Sequence, residues 1–239
     1  MSTAASASVR DFGALGPLGL APYIQHTKIA VGLTRAEIVA HAQETAEYGF
    51  NAAMVPGCWV AIVAAELAGT GIVVASALDF PVVGLMTSAG KSYEAARLVE
   101  YGADQIDIGV QIGYLKSGMY SEFREDIAAV VRAAGVPIKV MLELPLLNPQ
   151  EREAAVDLSL EAGAAYLKNA SSGQIETASS ENVRFLFERA PEGVGVKASG
   201  SIKDYRHAID LLNAGASLLG TSAGLAIISD SSNDKTVSY

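Results

Sequence analysis

The sequence predicts a single (β/α)8 barrel, on three observations. Its 239 residues match the usual size of one such barrel and exceed what one open sheet needs. A helical stretch, a Gly-containing turn and a short apolar run recur along the chain, in EYGFNAAMV, LAGTGIVVASAL, EYGADQIDIGV, AAGVPIKVML, EAGAAYLK and NAGASLLG. Half of the residues are hydrophobic, only 18% are charged and the mean hydropathy is +0.28, which excludes a disordered chain and fits strands covered on both faces. Alternating strand and helix implies a parallel sheet. A doubly wound open sheet is the competing architecture, but eight units favour closure.

Residues 1–20, MSTAASASVRDFGALGPLGL, are rich in Ala, Ser and Gly and lack an apolar centre behind a basic start, so they read as a loose lead-in and not as a secretory signal. The barrel spans 21–229, with strands expected near 23–27, 52–55, 72–78, 105–109, 137–142, 166–168, 195–198 and 218–220. Outer helices precede the glycine turns: Phe123, Ile127, Val130, Val131 and Ala134 share one face, as do Tyr205, Ala208, Ile209 and Leu212. A glycine after each helix supplies the left-handed residue that turns the chain back into the sheet. The apolar stretch from Cys58 to Val83 is interrupted by Glu66, a GTG turn and Asp79-Phe80-Pro81, which argues against a membrane span. Residues 230–239 read as a flexible tail.

A formal charge of −9, with no window rich in Lys and Arg, gives no attraction to nucleic acid or an anionic membrane, so neither is an expected partner. The lone Cys58 can form neither an intramolecular disulfide nor a Cys-rich metal site and reads as a packed or semi-exposed thiol, which fits a reducing, cytoplasmic setting. Three histidines with no metal-binding spacing predict no catalytic metal, and no cofactor is expected. His26 suits a hydrogen bond within a site or a structural role equally; His41 and His207 are expected on helix surfaces, and Trp59 and the methionines in packing.

Alternation along the strands sorts the polar residues by face. Ile106 and Ile108 oppose Gln105 and Asp107; Ile138, Val140 and Leu142 oppose Lys139, Met141 and Glu143; Leu167 opposes Lys168, and Val196 opposes Lys197. Branched residues belong against the helices. Asp107, Lys139, Glu143, Lys168 and Lys197 then point into the barrel near the C-terminal strand ends, where barrel enzymes carry their sites. Any one of them could be a structural ion pair. Together they are expensive to desolvate, and functional sites are the usual reason such a cost is retained.

Two close lysines suit amine nucleophilic catalysis. At its ordinary pKa of ~10.4 a lysine is protonated at neutral pH and cannot attack a carbonyl. A second ammonium and burial both favour the neutral amine. Lys168 and Lys197, on adjacent strands, form such a pair, with Asp107 placed to shuttle protons. The last two strands run into KASGSIK (197–203) and GTSAG (220–224), turns whose backbone N–H groups suit a phosphate.

GADQIDI followed by IGYLKSG, then GAAYLKNASSG, GVKASGSIK and AGASLLGTSAG, resemble the deoxyribose-phosphate aldolases, class I lyases of the barrel fold, from about Ile24 to Ile228. The resemblance implies reversible cleavage of 2-deoxy-D-ribose 5-phosphate to acetaldehyde and D-glyceraldehyde 3-phosphate. It implies Lys168 as the Schiff-base lysine, Lys197 as the lysine that tunes it and Asp107 as the acid/base. Phosphate binding falls on Gly200, Ser201, Gly220 and Ser222, with Ser172 a weaker match. Glu143, Lys139, Gln25 and the C-terminal Tyr239 are accessory candidates, and a homodimer is the assembly the family suggests.

The chain departs from the family pattern at three places. Gln25-His26-Thr27 stands where Asp-x-Thr is usual, Asn169-Ala170-Ser171-Ser172 replaces Thr-Ser-Thr-Gly after the nucleophile, and Gly200-Ser201 replaces paired glycines. These changes leave open an aldolase of the same family acting on a different 2-deoxy sugar or aldehyde. Two further readings are a phosphosugar isomerase or synthase with Glu143 as base, and a non-catalytic phosphosugar-binding protein.

Overall fold

Eight strands close on one another in sequence order, all parallel: β1 (Ile24–Thr27), β2 (Ala52–Met54), β3 (Val73–Leu78), β4 (Gln105–Gly109), β5 (Ile138–Met141), β6 (Tyr166–Lys168), β7 (Gly195–Ser199) and β8 (Leu218–Thr221), with β8 pairing back onto β1. The computed structural model describes residues 12–229; Tyr239 and the rest of residues 230–239 lie outside the described residues, as do 1–11. Each strand starts and ends within a residue or two of its expected bounds, because glycine turns and β-branched runs mark the boundaries chemically.

The outer layer comprises α1 (Arg35–Glu47), α2 (Val60–Glu66), α3 (Ser88–Glu100), α4 (Ile112–Lys116), α5 (Tyr120–Ala134), α6 (Pro149–Glu161), α7 (Ser180–Phe187), α8 (Tyr205–Asn213) and α9 (Gly224–Ile228). Local signals fix their ends. Thr34 with Glu37, and Asn148 with Glu151, form reciprocal capping boxes that satisfy the first free N–H groups of α1 and α6. Gly135 ends α5 at φ 65°, a left-handed value that other residues adopt only under strain.

Residues 12–20, expected as part of a loose lead-in, are packed. They form 3-10 turns at Phe12–Leu15 and Leu18–Tyr23, Phe12 meets Tyr23 edge to face, and Leu20 is wholly buried. Apolar side chains hidden in a small-residue context account for the difference.

The main core lies between sheet and helices and includes Ile106, Ile108, Val140, Leu167 and Val196, the branched residues expected to face outward from the barrel. Their strand neighbours are thereby turned inward. Register then stacks the polar groups: Asp107 sits opposite Lys139, and Lys168 opposite Lys197.

One buried ionic cluster has no counterpart in the sequence reading. Lys91 of α3 pairs with Asp126 of α5 and donates to the Gly109 carbonyl at 2.9 Å. Nearby, the Asp79 carboxylate accepts from the N–H groups of Gly84, Leu85 and Met86 at 2.7, 2.9 and 3.0 Å and so pins the loop after β3. That loop carries Phe80 to the mouth of the barrel.

Candidate active site

At the C-terminal mouth of the barrel a cavity of about 600 Å³ has Asp107, Lys168 and Lys197 at its base. Lys168 Nζ and Lys197 Nζ both donate to the same oxygen, Asp107 Oδ2, at 2.8 and 2.7 Å. Lys139 Nζ lies 3.3 Å from Asp107 Oδ1. Asp107 and Lys139 are fully buried, Lys197 is 1% exposed and Lys168 5%. Lys168 is thus the most accessible of the three amines.

Three lysines share one carboxylate, so the cluster cannot hold every ammonium cheaply. Burial alone would push the Asp107 carboxyl up, but the Lys168, Lys197 and Lys139 charges hold it far below the usual carboxylate range. Burial drives Lys197 well below the ordinary lysine value against the pull of Asp107, and Lys168 and Lys139 add to the depression. Lys139 is lowered by burial too. The sequence reading expected Lys197 to act as the cationic neighbour of Lys168; in the structure burial lowers the pKa of that neighbour, which lies deeper than Lys168.

Gln25 reaches Lys197 from β1. Its Nε2 donates to Asn51 Oδ1 at 3.1 Å and Gln105 Oε1 at 2.9 Å, which uses both amide hydrogens and leaves Oε1 to accept from Lys197 Nζ at 2.7 Å. A neutral acceptor thus solvates Lys197 without stabilising its charge as a carboxylate would.

Gly200, Ser201, Gly220, Ser222 and Ser172 line the cavity wall formed by the loops after β6, β7 and β8, and Lys203 brings a cation to the same side. The Gly200-Ser201 turn has φ 121° and 49°. A Cβ on Gly200 would lie 2.1 Å from the Glu176 carbonyl oxygen, so the close approach of the two loops requires glycine there. Opposite this polar wall, Ile29, Met54, Ala77 and Phe80 form an apolar one.

Two accessory candidates are placed elsewhere. Glu143 is buried just past β5 at φ 49°, accepts from Ser171 N–H at 2.9 Å and makes no ion pair with the lysines among the described residues. Burial raises its pKa. Lys139 lies below the cavity, 5.6 Å from the Tyr166 ring centroid, and does not line it. Phe80, Met54 and Lys203 line the cavity without having been singled out: an apolar loop residue and a methionine look the same in sequence whether they pack or face a ligand, whereas Lys203 ends the GVKASGSIK motif and could have been read from it.

His41 corrects the surface expectation. It is buried with Ile38, Ala42 and Thr45 on the inner face of α1, its Nε2 is 3.2 Å from the His26 carbonyl, and burial, then His26, bring its pKa down to about 4. His26 is also buried, stacked on Phe50 and bonded to Glu44 at 2.6 Å. His207 is half-buried, with Nε2 2.7 Å from the Ala178 carbonyl. Cys58 is exposed.

His26, His41 and Glu44 are the one group of potential ligands gathered among the described residues, with donor atoms within 4.8 Å of one another. Two of their ring nitrogens are engaged in hydrogen bonds, His26 Nε2 with Glu44 and His41 Nε2 with the His26 carbonyl. No helix among the described residues is long and apolar enough to cross a membrane.

No protein-family model matches the chain. Among curated proteins, it is 39% identical over 210 residues to the deoxyribose-phosphate aldolase of Methanothermobacter thermautotrophicus, covering 87% of this chain and 93% of the relative. It is 38% identical over 209 residues to that of Thermosynechococcus vestitus, covering 87% and 95%. Among solved structures, the tetrameric deoxyribose phosphate aldolase of Aeropyrum pernix superposes with a TM-score of 0.81 at 28% identity, over 89% of this chain and 91% of that one. Identity at this level across nearly the whole barrel, together with the lysine-lined cavity, leads to one conclusion: the chain belongs to the deoxyribose-phosphate aldolase family and is a lyase.

Proposed function

We propose that the protein cleaves and forms 2-deoxy-D-ribose 5-phosphate, with acetaldehyde and D-glyceraldehyde 3-phosphate as the other partners, through an imine on Lys168. The observation that carries this reading is the sharing of Asp107 Oδ2 by Lys168 and Lys197 at the base of the cavity. Lys197, depressed by burial, accepts the Lys168 proton through that shared oxygen and leaves a neutral amine on the more accessible side chain.

The amine adds to C1 of the open-chain sugar, and the carbinolamine loses water to give an iminium. The Asp107–Lys197 pair removes the proton of the C3 hydroxyl; C3 becomes the aldehyde of the departing triose phosphate, and the C2–C3 electron pair moves into an enamine. Reprotonation at C2 and hydrolysis then release acetaldehyde and regenerate the amine. Meanwhile the phosphate rests against the turns at Gly200-Ser201 and Gly220–Ser222, with Lys203 beside it. The apolar wall of Ile29, Met54, Ala77 and Phe80 is suited to the two-carbon fragment. An isomerase with Glu143 as base finds no support, because Glu143 does not line the cavity and its carboxylate accepts from Ser171 N–H.

Borohydride reduction in the presence of acetaldehyde tests the proposal. It should add one ethyl group, located on Lys168 by peptide mass mapping, and Lys168→Leu should remove both label and turnover while the protein stays folded, since leucine leaves no unpaired charge. Absence of the label, or its appearance on Lys197, would overturn this assignment.

A further inference from the structure

The residue after the nucleophile ties the two ends of the cavity together. Asn169 is wholly buried. Its Oδ1 accepts from Ser199 N–H at 2.9 Å, and its Nδ2 donates to the Ser199 carbonyl and to Glu176 Oε2, each at 2.9 Å. The side chain therefore grips both polar groups of one residue on the neighbouring strand, and that residue directly precedes the Gly200-Ser201 turn.

Glu176 anchors the far side of this contact. Its other oxygen, Oε1, accepts from Asn182 Nδ2 at 2.7 Å and Ser179 Oγ at 3.0 Å, so the whole loop after β6 is fixed to α7. The loop then meshes with the turn after β7: Ala178 N–H donates to the Gly200 carbonyl at 2.9 Å, and a Cβ on Gly173 would lie 2.2 Å from Ser201 Oγ. One side chain, adjacent to the reacting amine in sequence, thus sets how the wall behind Gly200-Ser201 sits relative to that amine.

We infer that Asn169 is a positioning residue that fixes the separation between the Lys168 amine and the phosphate-facing turn after β7, with Glu176 as its anchor. This rests on the aldolase reading above. Its consequence is selective. A substrate that spans from the amine to the turn feels a change in their separation, whereas one lacking the phosphate uses only the amine end.

The test compares retro-aldol kcat/KM on 2-deoxyribose 5-phosphate and on 2-deoxyribose in Asn169→Ala and Glu176→Gln. Misplacing a bound end by about 1 Å costs up to about a hundredfold, so Asn169→Ala should lose about tenfold to a hundredfold on the phosphorylated sugar and less than about threefold on the free sugar. Glu176→Gln should shift the ratio in the same direction and less far, because an amide offers one oxygen where Asn169 and Asn182 each need an acceptor. It also keeps the test open if the alanine variant does not fold. Parallel losses on both sugars, or an unchanged ratio in the folded variants, would overturn the inference. Borohydride labelling of Lys168 by acetaldehyde in each variant keeps the two proposals apart: a retained label with an unchanged ratio rejects the role of Asn169 alone, while an unlabelled wild-type protein rejects the aldolase mechanism on which it stands.

Discussion

Asp107→Asn isolates the electrostatics of the lysine cluster. Among the described residues the carboxylate is the one ion-pair partner of these Nζ atoms, at 2.7, 2.8 and 3.3 Å, all on lysines 95% or more buried. With the carboxylate present, one ammonium can remain charged against it; with asparagine there, that lysine too must give up its proton on folding. At pH 7 this costs about 1.36 kcal/mol for each of the roughly 3.4 pH units below the ordinary lysine pKa, or about 4.6 kcal/mol. The figure agrees with the ~3–5 kcal/mol typical of removing one partner of a buried ion pair.

The sign of its pH dependence follows by linkage. Asp107 has a depressed folded pKa, so its stabilisation is present above about pH 3.9, is lost as pH falls through the acid range, and has no slope between pH 7 and 10. A lysine forced neutral in the fold also has a depressed pKa, so the unfolded chain binds more protons and stability rises with pH up to ~10.4. Urea unfolding of both proteins at pH 7 and 9 should therefore give a gap that narrows by about 1.36 kcal/mol per pH unit, from about 4.6 to about 1.9 kcal/mol. A gap below ~1 kcal/mol at pH 7, or one that does not change with pH, would refute the premise that this carboxylate balances a buried ammonium.

Gln25→Glu should place a carboxylate where Lys197 now meets an amide oxygen at 2.7 Å, raise the Lys197 pKa and move the acid limb of the kcat/KM profile up by about 1–3 pH units; an unmoved limb would remove Lys197 from the proton relay. Gly200→Ala would bring a Cβ to 2.1 Å from the Glu176 carbonyl at a φ of 121°, so it should raise KM for the phosphorylated sugar by at least about tenfold, and weaken competitive inhibition by inorganic phosphate in parallel. Inhibition by phosphate at wild-type strength would show that the turn does not hold the anion.

The sequence by itself determined the barrel, its strand bounds and the inward set Asp107, Lys168 and Lys197, because glycine turns mark each return to the sheet and strict alternation assigns a face to every strand residue. Face assignment says nothing about depth or about what lies across the ring. Only closure of the sheet brought Gln25 on β1 to within 2.7 Å of Lys197 on β7, put both amines on one oxygen of Asp107 and left Lys197 deeper than Lys168, which decides where burial acts hardest. Glu143, assigned inward by the same alternation, leaves the pattern because its residue has already turned out of the strand at φ 49°. Asn169 and Glu176 are ordinary polar residues in a loop until β6 and β7 lie side by side, and His41 is an ordinary helix residue until α1 lies on the barrel. Contacts between chemically unremarkable residues distant in the chain depend on packing geometry, which a pattern along the chain does not encode.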